Sequence, residues 1–247
     1  MTNDTLRGKV VLVTGAGSGL GAATARAFAG AGCRVACVDL RGEAAERVAG
    51  ELLTAGAECV ALACDVGDAD AVFRVVEAVV GQFGRLDVAV NCAAVDYVAS
   101  VDELTIEQWD RALAVNLRGP FLIAKAALPT MRQQRSGHIV NIASTAAVRA
   151  WGNASAYHAS KWGLRGFSRG LGVEGRDDGI RVTTVIPGGM RTGWFDRFPE
   201  QGIPLPDEQH LQDPANVAAT ILFACQMPPE SAIQEIMVTP LTETSWP

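Results

Sequence analysis

The feature that most constrains the fold of this chain is an alternation between short apolar runs and longer stretches with helical patterning. The short runs predict buried strands, and the helical stretches between them carry the chain back so that the strands lie parallel. The strand-like runs span 9–14, 33–39, 58–65, 86–91, 138–144, 180–187 and 234–240. The helical patterns span 22–32, 42–55, 69–82, 103–133, 154–175 and 213–226. The sequence therefore predicts an α/β fold, a doubly wound parallel sheet of about seven strands with helices on both faces.

Length and composition are compatible with one substantial core. The chain has 247 residues, and 49% of them are hydrophobic. Length alone would also permit two small domains. The strand and helix patterns continue past the midpoint of the chain without a linker, so we expect a single domain over residues 1–247.

Charge and hydropathy exclude several classes of function. The net charge of −6 and the pI of about 5.1 leave no basic surface of the kind that binds nucleic acid or an anionic membrane. The N-terminal stretch MTNDTLRGKV has no apolar leader, and no apolar run approaches the roughly 18 residues of a membrane span. We expect a soluble, cytoplasmic protein whose partner is a small molecule.

The six cysteines lack the spacing of a metal or redox site. They are Cys33, Cys37, Cys59, Cys64, Cys92 and Cys225. They form no CxxC pair and have no His pair nearby, and most of them lie in apolar, strand-like runs. Buried, reduced thiols and no metal are expected.

Residues 188–212 interrupt the alternation. Their sequence, GGMRTGWFDRFPEQGIPLPDEQHLQ, combines glycines, prolines and aromatic residues. This composition is typical of a loop that covers a ligand site, although a plain irregular connector has it as well. We expect the segment to cover a substrate.

A glycine-rich turn, TGAGSGLG at 14–21, directly follows the first predicted strand. Its glycines are Gly15, Gly17, Gly19 and Gly21. They allow a sharp turn into a helix and let the backbone approach a pyrophosphate at the helix N-terminus. The strict G-x-G-x-x-G spacing is not met from Gly15, because position 20 is Leu, but Gly17 to Ala22 fits the looser form. Its place between a strand and a helix favours a Rossmann-type dinucleotide site over a purely structural turn.

Asp39 ends the second predicted strand, about 20 residues after the turn, where a carboxylate can accept hydrogen bonds from an adenosine ribose. The same negative charge would repel the 2′-phosphate of NADP, so Asp39 favours NAD. Arg41 provides a guanidinium that could pair with that phosphate, which leaves NADP as the alternative.

Asp65 ends the third predicted strand. Its carboxylate can accept a hydrogen bond from an adenine amino group, with the Val66 amide completing the contact. The alternative is a helix N-cap, although Asp68 is better placed for that role.

The pentapeptide YHASK at 157–161 places a tyrosine and a lysine four residues apart, on one face of a predicted helix. A free phenol has a pKa near 10, and a neighbouring ammonium stabilises its phenolate by charge and by hydrogen bonding. Lys161 would therefore enable Tyr157 to exchange protons near neutral pH. Ser144, at the end of a predicted strand, would hydrogen-bond the substrate oxygen. An ordinary amphipathic pair is the alternative for the tyrosine and lysine.

These motifs, in order along the chain, resemble those of the short-chain dehydrogenases/reductases. The matching elements are TGAGSGLG, Asp65, VNCAA at 90–94, Asn116, Ser144, YHASK and Pro187-Gly188. The resemblance implies the catalytic set Asn116, Ser144, Tyr157 and Lys161. It also implies that Lys161 holds the nicotinamide ribose and that Asn116 supports Lys161 through water. Two departures are Ala94, where the family usually has glycine, and the absence of a glycine-rich stretch from 233–247.

The turn, the strand ends and the resemblance together define the candidate cofactor contacts. These are Gly15, Gly17, Ser18, Gly19, Leu20, Gly21, Asp39, Leu40, Cys64, Asp65, Val66, Asn91, Ala93, Tyr157, Lys161, Pro187, Gly188, Met190 and Thr192. The candidate substrate contacts are Val95, Asp96, Tyr97, Thr145, Ala146, Trp151, Asn153, Gly189, Met190, Trp194, Phe195 and Phe198. This mixture suggests an apolar or aromatic substrate with limited polar decoration. His138 and His158 are expected to be structural or solvent-facing, whereas His210 could touch substrate.

We predict an oxidoreductase that transfers hydride between NAD(H) and a secondary alcohol or ketone, with Tyr157 as general acid/base. The alternatives are an NADP(H)-preferring ketone reductase and a non-catalytic dinucleotide-sensing protein. The resemblance also implies a homo-oligomer, a tetramer or a dimer, formed through the helices near 103–133 and 154–175.

Overall fold

A computed structural model of the chain describes residues 3–196, 198–199 and 202–243. Seven strands form one parallel sheet in the order β3-β2-β1-β4-β5-β6-β7. The strands are β1 (Val10–Thr14), β2 (Arg34–Asp39), β3 (Cys59–Ala63), β4 (Val88–Asn91), β5 (Gly137–Ile142), β6 (Ile180–Pro187) and β7 (Glu235–Val238). The α-helices are α1 (Gly19–Gly30), α2 (Gly42–Thr54), α3 (Ala69–Phe83), α4 (Ile106–Leu113), α5 (Gly119–Gln134), α6 (Ser155–Glu174) and α7 (Pro214–Cys225).

The strand order confirms the predicted fold class. The chain winds outward from β1 to β3 and then returns to build the other half of the sheet from β4 to β7. The order therefore reverses between β1 and β4, where the connections that follow the two strands leave in opposite directions and form a crevice.

Alternate side chains of the strands supply two cores, one on each face of the sheet. In β1, Val11 and Val13 pack into the core formed with α1, α2 and α7. Val10 and Leu12 pack into the opposite core, formed with α3 and α5. All four side chains are fully buried, and burying such a side chain stabilises the fold by about 1.5–3 kcal/mol. The predicted helices on both faces are confirmed.

The helical pattern at 103–133 forms two helices and not one continuous helix. α4 begins after a capping box in which Thr105 and Gln108 bond each other's backbone N–H groups. A π-helical segment at Ala114–Arg118 then connects α4 to α5, and the Gly119 N–H donates to the Ala114 carbonyl. Pro120, the next residue, has no N–H with which to continue an α-helical ladder through this point. The proline accounts for the interruption that the apolar pattern did not reveal.

All six cysteines are free thiols, four of them buried and two half-buried. Among the described residues, no group of three or more His, Cys, Asp and Glu side chains is arranged to hold a metal ion. None of the helices within 3–196, 198–199 and 202–243 has the length and apolar character needed to cross a membrane.

Candidate active site

A cavity of about 1020 Å³ lies at the carboxyl end of the sheet. Its wall is built from the β1–α1 turn, the loops that follow β2 to β6, and the segment at 188–211. Of the predicted cofactor contacts, those on this wall are Gly15, Ser18, Gly19, Leu20, Gly21, Asp39, Leu40, Cys64, Asp65, Val66, Ala93, Tyr157, Lys161, Pro187, Gly188, Met190 and Thr192. Most of the cofactor contacts predicted from the sequence motifs therefore line the crevice that the strand order predicts.

Gly17 and Asn91 lie behind this wall. The Gly17 N–H donates to the Asp39 carboxylate at 2.9 Å. The buried Asn91 amide donates to the Asn141 side chain at 2.8 Å, and Asn141 in turn donates to Ser168 at 2.9 Å. Both predicted residues shape the site from inside the protein.

Steric limits explain why the β1–α1 turn is rich in glycine. Gly15 has a φ of +66°, and a Cβ there would lie 2.9 Å from the Ala93 nitrogen. A Cβ on Gly17 would lie 2.6 Å from the Ala44 Cβ, and one on Gly21 would lie 2.0 Å from the Gly15 carbonyl oxygen. Larger side chains would therefore push the turn away from the sheet.

The first turn of α1 opens onto the cavity at this point. Ser18 is the N-cap, and its side chain makes no capping hydrogen bond. The first N–H groups of a helix have no partner within the helix, and the helix dipole favours an anion beside them. These features fit the pyrophosphate of a dinucleotide cofactor.

Asp39 is held firmly at the end of β2. Its carboxylate accepts from the Gly17 N–H at 2.9 Å and from the Arg41 N–H at 3.0 Å, and the residue is 9% exposed. The Arg41 side chain is 70% exposed, with its Nε 3.9 Å from the same carboxylate. Asp39 thus presents a fixed carboxylate to the part of the cavity where an adenosine ribose is expected, with the exposed Arg41 guanidinium beside it.

Asp65 makes contacts that its predicted role did not include. Arg111 donates to both carboxylate oxygens, at 3.0 and 2.7 Å, and the Gly67 N–H donates at 2.8 Å. Burial raises the pKa of the Asp65 carboxyl, but the hydrogen bonds from Arg111 and Gly67 outweigh burial and hold this pKa below its usual range. Asp68 is the N-cap of α3, as its position suggested. Arg111 also lines the cavity, and no sequence motif pointed to it.

Three of the four predicted catalytic side chains line the same cavity: Ser144, Tyr157 and Lys161. Tyr157 and Lys161 are on the first turns of α6, and the Lys161 Nζ lies 5.6 Å from the centre of the Tyr157 ring. Ser144 follows β5, and its Oγ accepts from the Ala146 N–H at 3.1 Å. The arrangement brings a hydroxyl, a phenol and an ammonium to one wall.

Lys161 is almost completely buried. It is 2% exposed, and its Nζ donates to the Ile142 carbonyl at 2.8 Å. Burial lowers the pKa of Lys161 to about 8, although the nearby Cys92 and Asp96 raise it. The hydrogen bond orients the ammonium, and the low-dielectric surroundings strengthen its effect on any charge that forms close by.

Asn116 lies in the π-helical segment, behind the wall. Its side chain exchanges two hydrogen bonds with the backbone of Val95, each 2.8 Å long, and donates to Ser160 at 3.1 Å. These bonds fix the loop after β4 to the start of α6. Asn116 therefore contacts Ser160, the residue that precedes Lys161 in the chain.

The three histidines occupy different environments. His138 is buried in β5 and bonds Thr183, so it is structural. His158 supports the loop before α6, because its ring bonds the Ala146 carbonyl and accepts from the Trp151 N–H. His210 lines the cavity, as a residue in contact with substrate would.

Most predicted substrate contacts lie on the remaining wall: Val95, Asp96, Thr145, Trp151, Asn153, Gly189, Met190, Trp194, Phe195 and Phe198. Tyr97 and Ala146 are not on it, whereas Ala94 is. The centres of the Trp194 and Tyr157 rings are 5.8 Å apart, so the 188–212 segment packs next to the predicted catalytic tyrosine. The segment therefore covers the cavity, although positions 197, 200 and 201 lie outside the described residues.

Sequence reasoning missed a second polar group on this wall, the ion pair of Arg149 and Glu243. Arg149 lies shortly after Ser144, beyond the 3-10 turn at Thr145–Ala147, and Glu243 lies beyond β7. The two residues are far apart in the chain and belong to no motif, so only the fold reveals their contact.

The sheet order and the glycine turn define a dinucleotide-binding α/β protein. A family model described as short chain dehydrogenase matches residues 9–201. D-threitol dehydrogenase from Mycolicibacterium smegmatis is 46% identical over 182 residues, which cover 74% of this chain and 70% of that protein. The 2,5-dichloro-2,5-cyclohexadiene-1,4-diol dehydrogenase LinX from Sphingobium indicum is 36% identical over 222 residues, which cover 88% of this chain and 89% of that protein.

A solved structure also matches over almost the whole chain. A metagenomic short-chain oxidoreductase in complex with NADP has a TM-score of 0.84 and 32% sequence identity, and the match covers 96% of this chain and 98% of that one. The chain belongs to the short-chain dehydrogenase family. It is an oxidoreductase of a family that uses a nicotinamide dinucleotide cofactor.

Proposed function

We propose that the protein is an NAD(H)-dependent dehydrogenase that interconverts a secondary alcohol and the corresponding ketone. The observation that carries this proposal is the meeting of Ser144, Tyr157 and Lys161 on the cavity wall that the glycine turn also lines. A bound nicotinamide ring supplies the acceptor for the hydride that leaves the alcohol carbon. The protein then has to orient the alcohol and accept its hydroxyl proton.

Each of the three side chains has a role in this step. Ser144 donates a hydrogen bond to the substrate oxygen and holds the alcohol in position. Tyr157 takes the hydroxyl proton during oxidation and returns a proton during reduction. The buried Lys161 ammonium stabilises the phenolate form of Tyr157, and the Ile142 carbonyl keeps this ammonium in place. Asn116 is a positioning residue that acts through the loop at Val95 and through Ser160.

The preference for NAD follows from Asp39. Its carboxylate is fixed by two backbone N–H groups and can accept hydrogen bonds from both ribose hydroxyls of an adenosine. A 2′-phosphate in the same place would meet a partly buried negative charge. NAD avoids this repulsion.

A second candidate function is that of an NADP(H)-preferring reductase, and the observation in its favour is the exposed Arg41 guanidinium beside Asp39. A guanidinium can pair with a phosphate in a bidentate manner. The related metagenomic oxidoreductase was solved with NADP. We favour NAD because Asp39 is fixed whereas Arg41 would have to move.

The substrate proposal uses both the wall and the relatives. Trp151, Trp194, Phe195 and Phe198 give the cavity an apolar side suited to a carbon skeleton. The names of the two relatives specify a polyol and a cyclic diol. Small alcohols with one or more further hydroxyl groups are therefore the first substrates to test.

We also propose a homo-oligomer, a dimer or a tetramer, assembled through α4, α5 and α6. These helices expose large apolar side chains that a second copy would cover: Ile106 at 76%, Phe121 at 44% and Trp162 at 50% exposure. Light scattering gives the molar mass of the protein in solution, and the mass of a monomer would contradict this proposal.

Replacement of Tyr157 by phenylalanine tests the proposed reaction. We expect wild-type protein to reduce NAD in the presence of an alcohol, and Tyr157→Phe to lose at least about a hundredfold in kcat, the usual range for a general acid/base. Calorimetry should show an NAD dissociation constant for Tyr157→Phe within about threefold of the wild-type value, a difference of less than 1 kcal/mol. Full activity of the variant would exclude the proton-transfer role. Cofactor binding without turnover of any alcohol or ketone in a broad panel would favour a dinucleotide sensor.

A further inference from the structure

The substrate end of the cavity contains an ion pair that the proposed reaction does not use. The Arg149 Nη2 lies 3.6 Å from the Glu243 Oε1, and both residues line the cavity. The side chains are 24% and 12% exposed, so water screens this pair less than it would on an open surface. The pair is large and polar for a wall whose other members are mostly apolar.

Arg149 is anchored beside the predicted catalytic serine. Its Nη2 donates to the Thr145 hydroxyl at 3.4 Å, and Thr145 is the next residue after Ser144. The guanidinium carbon lies 5.2 Å from the centre of the Trp151 ring, at a distance typical of a cation–π contact. These contacts fix the guanidinium close to the place where Ser144 is expected to hold the reacting oxygen.

Two nitrogen atoms at this end of the cavity have unused hydrogen-bonding capacity. The Arg149 Nε and the His210 Nδ1 are both buried, and neither has a hydrogen-bond partner among the described residues. A buried polar atom without a partner costs free energy, which a ligand atom can recover by bonding to it. The Arg149 Nε can only donate, so its partner has to be an acceptor.

The charges around the reacting centre disfavour an anionic substrate. Among the described residues that line the cavity, the cations outside the Asp39–Arg41 and Asp65–Arg111 pairs are Arg149 and Lys161, and the carboxylates outside these pairs are Asp96, Asp196 and Glu243. A carboxylate-bearing substrate would therefore face an excess of negative charge. A hydroxyl group, in contrast, can accept from Arg149 and donate to Glu243 at the same time.

We propose that the Arg149–Glu243 pair binds a second hydroxyl group of the substrate and so selects neutral diols and polyols over mono-alcohols and hydroxy acids. The inference rests on the proposed function, since Ser144 and Tyr157 hold the first hydroxyl. Glu243 reaches the site from the segment after β7. The Thr242 hydroxyl donates to the Gln209 carbonyl and attaches this segment to the loop that covers the cavity.

Paired alcohols that differ by one hydroxyl group test the selectivity. The measured quantity is the ratio of kcat/KM for cyclohexane-1,2-diol to kcat/KM for cyclohexanol. We expect a wild-type ratio of at least about ten, and a fall of about tenfold in Arg149→Met and in Glu243→Gln, the cost of one hydrogen bond to a charged group. The fall should appear mainly in KM for the diol.

A surface ion pair provides the matched controls. Arg132 and Asp178 lie 3.0 Å apart at the opposite end of the sheet, so Arg132→Met and Asp178→Asn should leave the ratio unchanged. A wild-type ratio near one, or an unchanged ratio in both site variants, would overturn the inference. So would a preference for 3-hydroxybutyrate that Glu243→Gln increases, because Arg149 would then bind a carboxylate.

Binding without turnover separates this inference from the proposed reaction. In the Tyr157→Phe protein with NAD, calorimetry should show that the diol binds about tenfold more tightly than cyclohexanol and that Arg149→Met abolishes the difference. If wild-type protein oxidises neither alcohol but this binding difference is found, the proposed reaction fails and the selectivity stands. If the two alcohols bind equally, the selectivity is overturned whatever the turnover.

Discussion

At the scale of single residues, Asp39 illustrates how one side chain serves structure and specificity together. One of its carboxylate oxygens accepts from the Gly17 N–H and the other from the Arg41 N–H. The carboxylate thereby closes the turn that faces the cofactor and fixes its own position. A Cβ on Gly17 would lie 2.9 Å from this carboxylate, so the glycine and the aspartate depend on each other.

Removal of the Asp39 charge should change the cofactor preference. In wild-type protein we expect the dissociation constant for NADP to exceed that for NAD by at least about tenfold, which corresponds to about 1.4 kcal/mol. Asp39→Asn preserves the shape of the side chain but removes the repulsion and frees Arg41 to approach the phosphate. The ratio of the two constants, measured by calorimetry, should therefore fall in the variant.

Arg41→Ala is the control for this experiment. It should leave NAD binding nearly unchanged, because the exposed guanidinium has no part in the proposed ribose contact. Wild-type protein that binds NADP more tightly than NAD, and loses this preference in Arg41→Ala, would establish the second candidate function instead.

At the scale of secondary-structure elements, the break between α4 and α5 has a consequence for the site. The π-helical segment contains Asn116, which is fully buried and clamps the Val95 backbone. Bulges of this kind occur frequently at functional sites, because they redirect a side chain that a regular helix would place elsewhere. Here the redirected side chain joins the loop after β4 to the start of the helix that contains Tyr157 and Lys161.

The pairing of β5 with β6 contains a titratable group that should make stability depend on pH. The Thr183 hydroxyl donates to the Ile233 carbonyl at 2.6 Å, so the His138 Nε2–H must be the donor in its 2.8 Å contact with that hydroxyl. Burial, assisted by the charge of Arg181, lowers the pKa of His138 from 6.5 to about 3. The folded protein therefore holds a neutral imidazole.

Acidification should destabilise the fold through His138. Between the two pKa values of 6.5 and about 3 the unfolded chain binds a proton that the folded chain does not. The free energy of unfolding should then fall by up to about 1.4 kcal/mol for each unit of decreasing pH. His138→Gln should reduce this slope, as measured by urea unfolding from about pH 7 to about pH 5. If the free energy of unfolding of the variant falls as steeply with decreasing pH as that of the wild type, groups other than His138 cause the acid sensitivity.

At the scale of the whole molecule, the features that could be predicted from the sequence are those that a local pattern of residues determines. Continuous apolar runs such as VVLVT produce strands buried on both faces. Within the turn TGAGSGLG, the positive φ of Gly15 and Gly19 and the close approach of Gly21 to the Gly15 carbonyl require glycine. The same applies to Tyr157 and Lys161, whose spacing within one helix brings them to one wall. Short-range geometry fixes these features, so a linear motif can reveal them.

Features that depend on the tertiary fold left no such signal. Arg111 reaches Asp65, in the loop after β3, from α4, and Glu243 reaches Arg149 from the segment after the last strand. In the linear sequence, the charged residues at these positions cannot be distinguished from ordinary charged residues on the protein surface. The expectation of limited polar decoration followed from the candidate substrate contacts at the strand ends and in the 188–212 segment, and that set included neither Arg149 nor Glu243.

The central claim is that the Tyr157 hydroxyl exchanges a proton with the substrate oxygen. The most direct measurement is the distance between these two oxygens in a crystal structure of the protein with NAD and a slowly reacting alcohol. We expect a hydrogen bond of about 2.7 Å, with the Ser144 hydroxyl bonded to the same substrate oxygen. A Tyr157 hydroxyl that points away from the bound alcohol, with another side chain in its place, would contradict the proposed mechanism.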